Sequence, residues 1–256
     1  MSDTNAANKA LFEYLLWLGD NSLVLGHRLS EWCGHGPILE EDIALTNIAL
    51  DLIGQARLYL SYAGEVEAKG HSEDDLAYLR DVMLYRNCML VEQPNGDFAN
   101  TMMRQFLFTA FNYHLQNAML DSTNEQLKAI AGKATKETTY HLRHCSDWII
   151  RLGDGTEESH KRIQDAIDNL WMFTDELFEG LDSDKLLIDS KAVPAFADIR
   201  KQWEATLKQV LDEATIKMPE RSFMMSGGRK GRHTEHLGFI LAEMQFMQRA
   251  YPGAKW

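Results

Sequence analysis

Apolar residues recur three and four positions apart along most of the chain, the period of helices that bury one face. A first stretch, Ala7 to Trp32, is predicted helical with a kink or break near Gly19-Asp20-Asn21 and a stop at Gly34-His35-Gly36-Pro37. A second begins near Leu39, with Ile43, Ile48, Leu50, Ile53 and Leu58 as its expected buried side and Gly64 as its end. The third is expected to run from Ser72, whose hydroxyl is placed to cap the amides of Asp74 or Asp75, to the turn at Glu92–Asp97. Phe98 to Leu120 is unusually apolar and aromatic and contains neither Asp nor Glu. Ser122-x-x-Glu125 reads as a capping box opening a helix to Leu152, and Thr156 as the cap of the next, with Ile163, Ile167, Leu170, Trp171, Thr174, Leu177 and Phe178 as its stripe. Leu181 to Asp198 reads as a long connection before a shorter helix carrying Ile199, Trp203, Leu207, Val210 and Leu211. Thr215 to Arg232 is expected to be irregular, and Thr234 to Arg249 closes the pattern as a last helix.

Only six valines stand against 32 leucines, a balance that favours helix over strand. Long amphipathic helices joined by short loops predict an all-α bundle, read as a single domain over residues 1–256. The 256 residues carry a formal charge of −12, which disfavours nucleic acid and anionic membranes as partners. No apolar run reaches the length of a membrane span, and the polar start from Met1 to Ala10 lacks the features of a secretion signal, so a cytoplasmic location is expected. Cys33, Cys88 and Cys145 are far apart and read as small core hydrophobes.

The densest chemical cluster is Glu137, Tyr140, His141 and His144. At 100° per residue, Glu137, His141 and His144 project within about 60° of one another, so they could meet one ion. A four-helix di-iron centre requires a carboxylate from each of two helices and Glu-x-x-His from each of the other two. This chain departs from that pattern: the residue three after Glu137 is Tyr140, and Phe98–Leu120 offers no carboxylate. Asp42, Asp51 and Asp81 are further inward candidates, but Asp81-x-x-Leu84 lacks the histidine, and Glu157-x-x-His160 lies in a first helical turn where glutamate serves the helix dipole. Two readings follow for Asp42, Asp51, Asp81, Glu137, Tyr140 and His141: a buried polar network in place of a metal site, or an irregular metal site of the chain's own. Glycine fingerprints, Walker loops and nucleophile elbows are absent.

Thr215–Arg232 holds five cations, Lys217, Arg221, Arg229, Lys230 and Arg232, against Glu220 alone, with Phe223, Met224 and Met225 interleaved. Arg221, Arg229, Lys230 and Arg232 are candidates for an anion or a partner surface, and a solvated loop is the alternative.

Specific segments then carry a resemblance. They include Arg28-Leu-Ser-Glu-Trp-Cys-Gly-His, Asn47-Ile-Ala-Leu-Asp-Leu-Ile-Gly-Gln-Ala-Arg, Leu90-Val-Glu-Gln-Pro-Asn-Gly-Asp-Phe-Ala, Tyr140-His-Leu-Arg, Arg151-Leu-Gly-Asp-Gly-Thr, and Gly231-Arg-His-Thr-Glu-His-Leu-Gly. Together they resemble the C-subunit family of bacterial phenylacetyl-CoA epoxidases, also called ring 1,2-phenylacetyl-CoA monooxygenases. The resemblance implies a ferritin-like helical bundle with additional C-terminal helices and no catalytic residues or cofactor of its own. It implies a structural role beside a catalytic A subunit that holds the di-iron centre, a bridging B subunit, and a reductase with flavin and iron–sulfur groups fed by NADPH. It also implies shared contact with phenylacetyl-CoA around Tyr85, Arg86, Asn87 and Lys185; Arg86 suits a phosphate and Tyr85 stacking, and a surface ion pair is the alternative for Arg86.

Overall fold

The computed structural model describes residues 2–220 and 223–254; Arg221 lies outside them. Among the described residues the secondary structure is helical: α1 (Ser2–Ser30), α2 (Leu39–Glu67), α3 (Glu73–Tyr78), α4 (Met89–Glu92), α5 (Phe98–Met119), α6 (Glu125–Gly153), α7 (Glu157–Leu170), α8 (Asp184–Asp189), α9 (Phe196–Glu213), α10 (Glu235–Met244) and α11 (Phe246–Ala250). The chain divides into two compact units, one of residues 1–93, 181–187 and 227–256 and the other of residues 94–180 and 188–226.

In the first unit α1 and α2 form an antiparallel hairpin. Two glycines a double turn apart on α1 set its closeness: a Cβ on Gly19 would lie 2.8 Å from the Leu60 side chain, and one on Gly26 would lie 3.2 Å from the Ala49 carbonyl oxygen. The break expected at Gly19-Asp20-Asn21 does not occur, and α1 is continuous there. Gly19 serves close packing, and the buried Asp20 and Asn21 are satisfied from outside the helix: Asp20 by Arg80 and the Arg86 amide, Asn21 by the Cys88 amide at 2.8 Å.

The second helix is apolar on two faces. Leu45, Ile48, Leu52, Tyr59 and Leu60 are buried, whereas Ile43 and Leu50, expected on the same side as Ile48, stand 53% and 62% exposed. The region after Ser72 also departs from one continuous helix. The capping box forms, with Ser72 Oγ accepting from the Asp75 amide, but α3 lasts six residues. The chain then becomes a 3-10 turn at Val82–Leu84 and an extended run, which leaves backbone amides free to bond Asp20 and Asn21.

The second unit is built on α5, α6, α7 and α9. α5 is capped by Asp97 accepting from the Asn100 amide and is buried on nearly every side, as its apolar composition requires. The cap of α6 is Asn124, accepting from Leu127, rather than Ser122. The Ser122 hydroxyl instead donates to the Ala192 carbonyl and accepts from the Asn124 amide. Thr156 caps α7 as expected. Trp203 pins α9: its indole N–H donates to the Leu107 carbonyl at 2.9 Å, and its ring stacks on Trp171. The connection after Gly180 contains the short α8 before α9.

The cysteines behave as their burial dictates. Cys88 and Cys145 are buried as core hydrophobes, whereas Cys33, expected among them, is exposed after the end of α1; burial pushes the Cys145 thiol well above the ordinary range. Native protein treated with iodoacetamide near pH 8 is therefore expected to gain one adduct quickly, at Cys33. Peptide mass mapping checks this; equally fast labelling at Cys145 would contradict its burial.

Candidate functional site

In the second unit, α5 and α6 carry polar side chains inward. On α5, Gln105 Nε2 donates to Thr109 Oγ1 at 2.8 Å, and Gln116 Nε2 donates to Asn112 Oδ1 at 2.9 Å; all four residues are buried. On α6 the buried line is Ala134, Thr138, His141, Cys145 and Ile149, and the Cys145 thiol donates to the Leu142 carbonyl at 3.4 Å. These named side chains are uncharged hydrogen-bonding groups, and none is a carboxylate. The Gln105 Oε1 atom is buried without a hydrogen-bond donor.

Glu137 and Tyr140 flank this line rather than belong to it. Thr138 and His141 occupy the centre of the inward face, so Glu137 falls at its edge, with Lys133 Nζ 3.5 Å away. Tyr140 is 41% exposed, its ring beside His144 and 5.9 Å from the Arg143 guanidinium carbon. His160 Nδ1 lies 2.8 Å from the Gly153 carbonyl oxygen, closing the turn between α6 and α7. Among the described residues no three His, Cys, Asp or Glu side chains converge in a way that could hold a metal ion.

Asp42 and Asp81 bond elsewhere than to Glu137 or His141. Asp42 accepts from the Gly36 amide at 2.9 Å, and backbone donors from Gly36 and Gly34 hold its carboxyl below the usual range at the entrance to α2. Asp51 is half-buried on α2. Asp81 is exposed and pairs with Arg249 at 2.9 Å.

The charged core instead lies in the first unit, along α1. Arg80 pairs with the buried Asp20 and also bonds the Leu84 carbonyl, with its guanidinium carbon 4.4 Å from the Tyr85 ring centroid. The Tyr85 hydroxyl donates to the Ala77 carbonyl and accepts from Gln245 Nε2 at 3.2 Å; burial pushes this phenol above its ordinary range. Gln245 also donates to the carbonyls of Ala77 and Arg80, tying the end of α10 to this cluster. Asn87 is buried and bonds the Cys88 carbonyl and Glu92. Glu92 accepts from the Thr234 amide at 2.7 Å, and His233 sits 3.3 Å from its carboxylate. Arg86 is half-buried and paired with Glu13 at 2.7 Å, whereas Lys185 is exposed. Tyr85 and Asn87 therefore act as buried supports, with their polar atoms turned to the protein.

Arg229 is likewise a core residue. It is 4% exposed, paired with the buried Asp184 at 2.6 Å, and its guanidinium carbon lies 4.7 Å from the Trp17 ring centroid. The aspartate also accepts from the Leu181 amide at 3.0 Å. Its place in the cationic loop of the sequence is thus corrected; Lys230 and Arg232 are exposed. The pairs Asp20–Arg80, Asp184–Arg229 and Glu92–His233 join residues 45 to 141 positions apart, and no local spacing marks them.

The helical architecture of the described residues, with the family match over the whole chain, makes this a ferritin-like helical protein. More narrowly, the chain belongs to the phenylacetic acid catabolic protein family, which it matches over residues 1–256. It is 48% identical over 246 residues, 96% of this chain and 99% of the relative, to the C subunit of the 1,2-phenylacetyl-CoA epoxidase of Escherichia coli (strain K12).

Proposed function

We propose that the chain is the C-type subunit of a cytoplasmic phenylacetyl-CoA 1,2-epoxidase, a structural partner with no active site or cofactor of its own. The observation that supports this reading is the inner face of α5 and α6, where the buried polar residues Gln105, Thr109, Asn112, Thr138 and Cys145 include no carboxylate. The near full-length similarity to a C subunit supports the same reading. On this reading the chain stabilises a di-iron A subunit, at which oxygen and phenylacetyl-CoA react. A B subunit bridges such pairs, and a reductase with flavin and iron–sulfur groups supplies electrons from NADPH.

The chain's own contribution is positional. The Asp20–Arg80–Tyr85 cluster and Asn87 hold the backbone that presents Arg86. Arg86 and the exposed Lys185 are the cations proposed for the CoA moiety, and Lys230 and Arg232 those for an anion or partner surface.

The test is to purify the chain alone and together with an A-type subunit, then measure mass and iron. Iron should appear in proportion to the A subunit, and the chain alone should carry none in stoichiometric amount. Stoichiometric iron in the isolated chain, lost in Glu137→Ala, would establish a metal site of its own and overturn the reading. So would failure of the two subunits to associate.

A further inference from the structure

Two segments far apart in the chain, residues 83–86 and 230–233, lie against each other in the first unit. The Tyr85 carbonyl accepts from Arg86 Nη1 at 3.0 Å and lies 3.1 Å from His233 Nε2. The Met83 carbonyl accepts from the same Arg86 nitrogen at 3.1 Å, and a Cβ on Gly231 would stand 2.2 Å from that carbonyl oxygen. Gly231 also has φ +77°, so its conformation and this contact both require glycine. Lys230 and Arg232 therefore flank the residue that rests on Arg86's own hydrogen-bond acceptor. Three cations from two distant stretches come together at one place on the surface.

Their bonding leaves them open to an anion. Glu13 takes Arg86 Nε at 2.7 Å and the two carbonyls take Nη1, which leaves Nη2 as the donor edge for a ligand. Lys230 and Arg232 are exposed and, among the described residues, have no ion-pair partner. The acids nearby are Glu13, Asp20, which is paired with Arg80 and accepts the Arg86 amide, and Glu235 three residues after Arg232. Against these three acids stand four cations, Arg80, Arg86, Lys230 and Arg232. Without Lys230 and Arg232 the acids outnumber the cations, so these two decide whether a chain at −12 presents a positive surface here. Met83, 76% exposed, and Leu84, 50% exposed, add apolar surface beside them for the uncharged part of a ligand.

We infer that Lys230 and Arg232 join Arg86 in one site for the phosphates of a CoA thioester, and that they do not serve a partner surface. The inference rests on the function proposed above. Arg86 is held in place by Glu13 and the two carbonyls, and Lys230 and Arg232 supply the charge that a phosphate requires.

The experiment measures turnover of phenylacetyl-CoA by the complex reconstituted with A-type, B-type and reductase subunits. Lys230→Ala/Arg232→Ala should raise KM by about fivefold or more, the sum expected from two exposed ion pairs. KM should rise with salt in the wild type and less steeply in this variant, because fewer charges remain to be screened. Lys230→Arg/Arg232→Lys keeps both charges and should recover most of the affinity. Both positions are exposed, so thermal unfolding of the chain and the mass of the assembled complex should match wild type. An unchanged KM, or a salt dependence equal to wild type, would overturn the inference. Loss of assembly in the alanine variant would assign the two cations to a partner surface and overturn it as well. In each of these cases the wild-type complex still turns over phenylacetyl-CoA and the proposed function stands; a wild-type complex without turnover removes both.

Discussion

Asp184→Ala is expected to destabilise the chain by about 3–5 kcal/mol, the typical cost of removing one partner from a buried ion pair. The guanidinium of Arg229 would remain in the interior between Tyr14 and Trp17, with its carboxylate partner gone. Aromatic faces attract a cation, but they do not replace a bidentate carboxylate. The Leu181 amide would lose its acceptor in the same substitution. Urea unfolding followed by circular dichroism measures the effect. The double variant Asp184→Leu/Arg229→Met, which removes both charges at similar volume, should recover a substantial part of the loss. A shift below about 1 kcal/mol for Asp184→Ala would mean that Arg229 reaches water or another acceptor, and its place in the core would have to be revised.

The ion pair also explains what was hidden in the sequence. Arg229 sits among glycines and cations, a composition that reads as a solvated loop, yet the Gly228–Lys230 turn drops it into the interior. Its partner is 45 residues away, and a one-dimensional pattern holds no information about such a pair. The same limit produced the expected break in α1. Gly-Asp-Asn is turn chemistry when its polar groups bond locally, but here they bond to Arg80, Arg86 and Cys88, more than 55 residues distant. What the pattern does carry is what the 3.6-residue period encodes: all-α architecture, the apolar α5, the stripe of α9 and the Thr156 cap. On α2 the period was present twice, on two faces, so apolar spacing alone could not tell the covered face from the open one.

The α5–α6 seam was legible for a different reason. Absence of Asp and Glu between Phe98 and Leu120 is a property of composition, independent of geometry. Its replacement by a neutral hydrogen-bonded line was not legible, because which residues of α6 face inward depends on a rotation of one position, from Glu137 to Thr138.

Gln105→Glu tests how committed that seam is to neutrality. The amide nitrogen now donates to Thr109, while Oε1 is buried without a donor. A carboxylate there would lose the one donor the side chain supplies and find none for its second oxygen, so at neutral pH the variant should be destabilised by at least about 3 kcal/mol. Burial disfavours the charged form, so the introduced carboxyl would have a folded pKa above its unfolded value. The penalty applies where the unfolded chain ionises and the folded one must follow or stay protonated; it therefore shrinks as pH falls toward the unfolded carboxyl range near pH 4. Unfolding free energies of Gln105→Glu and wild type, measured from pH 4 to pH 8, should diverge with rising pH. Ferrous iron added to the variant should leave its melting temperature unchanged, because no three acidic, histidine or cysteine side chains converge on that point among the described residues. A melting temperature raised by iron, with the metal retained after gel filtration, would show instead that the seam keeps the geometry of a metal site and lacks a single carboxylate.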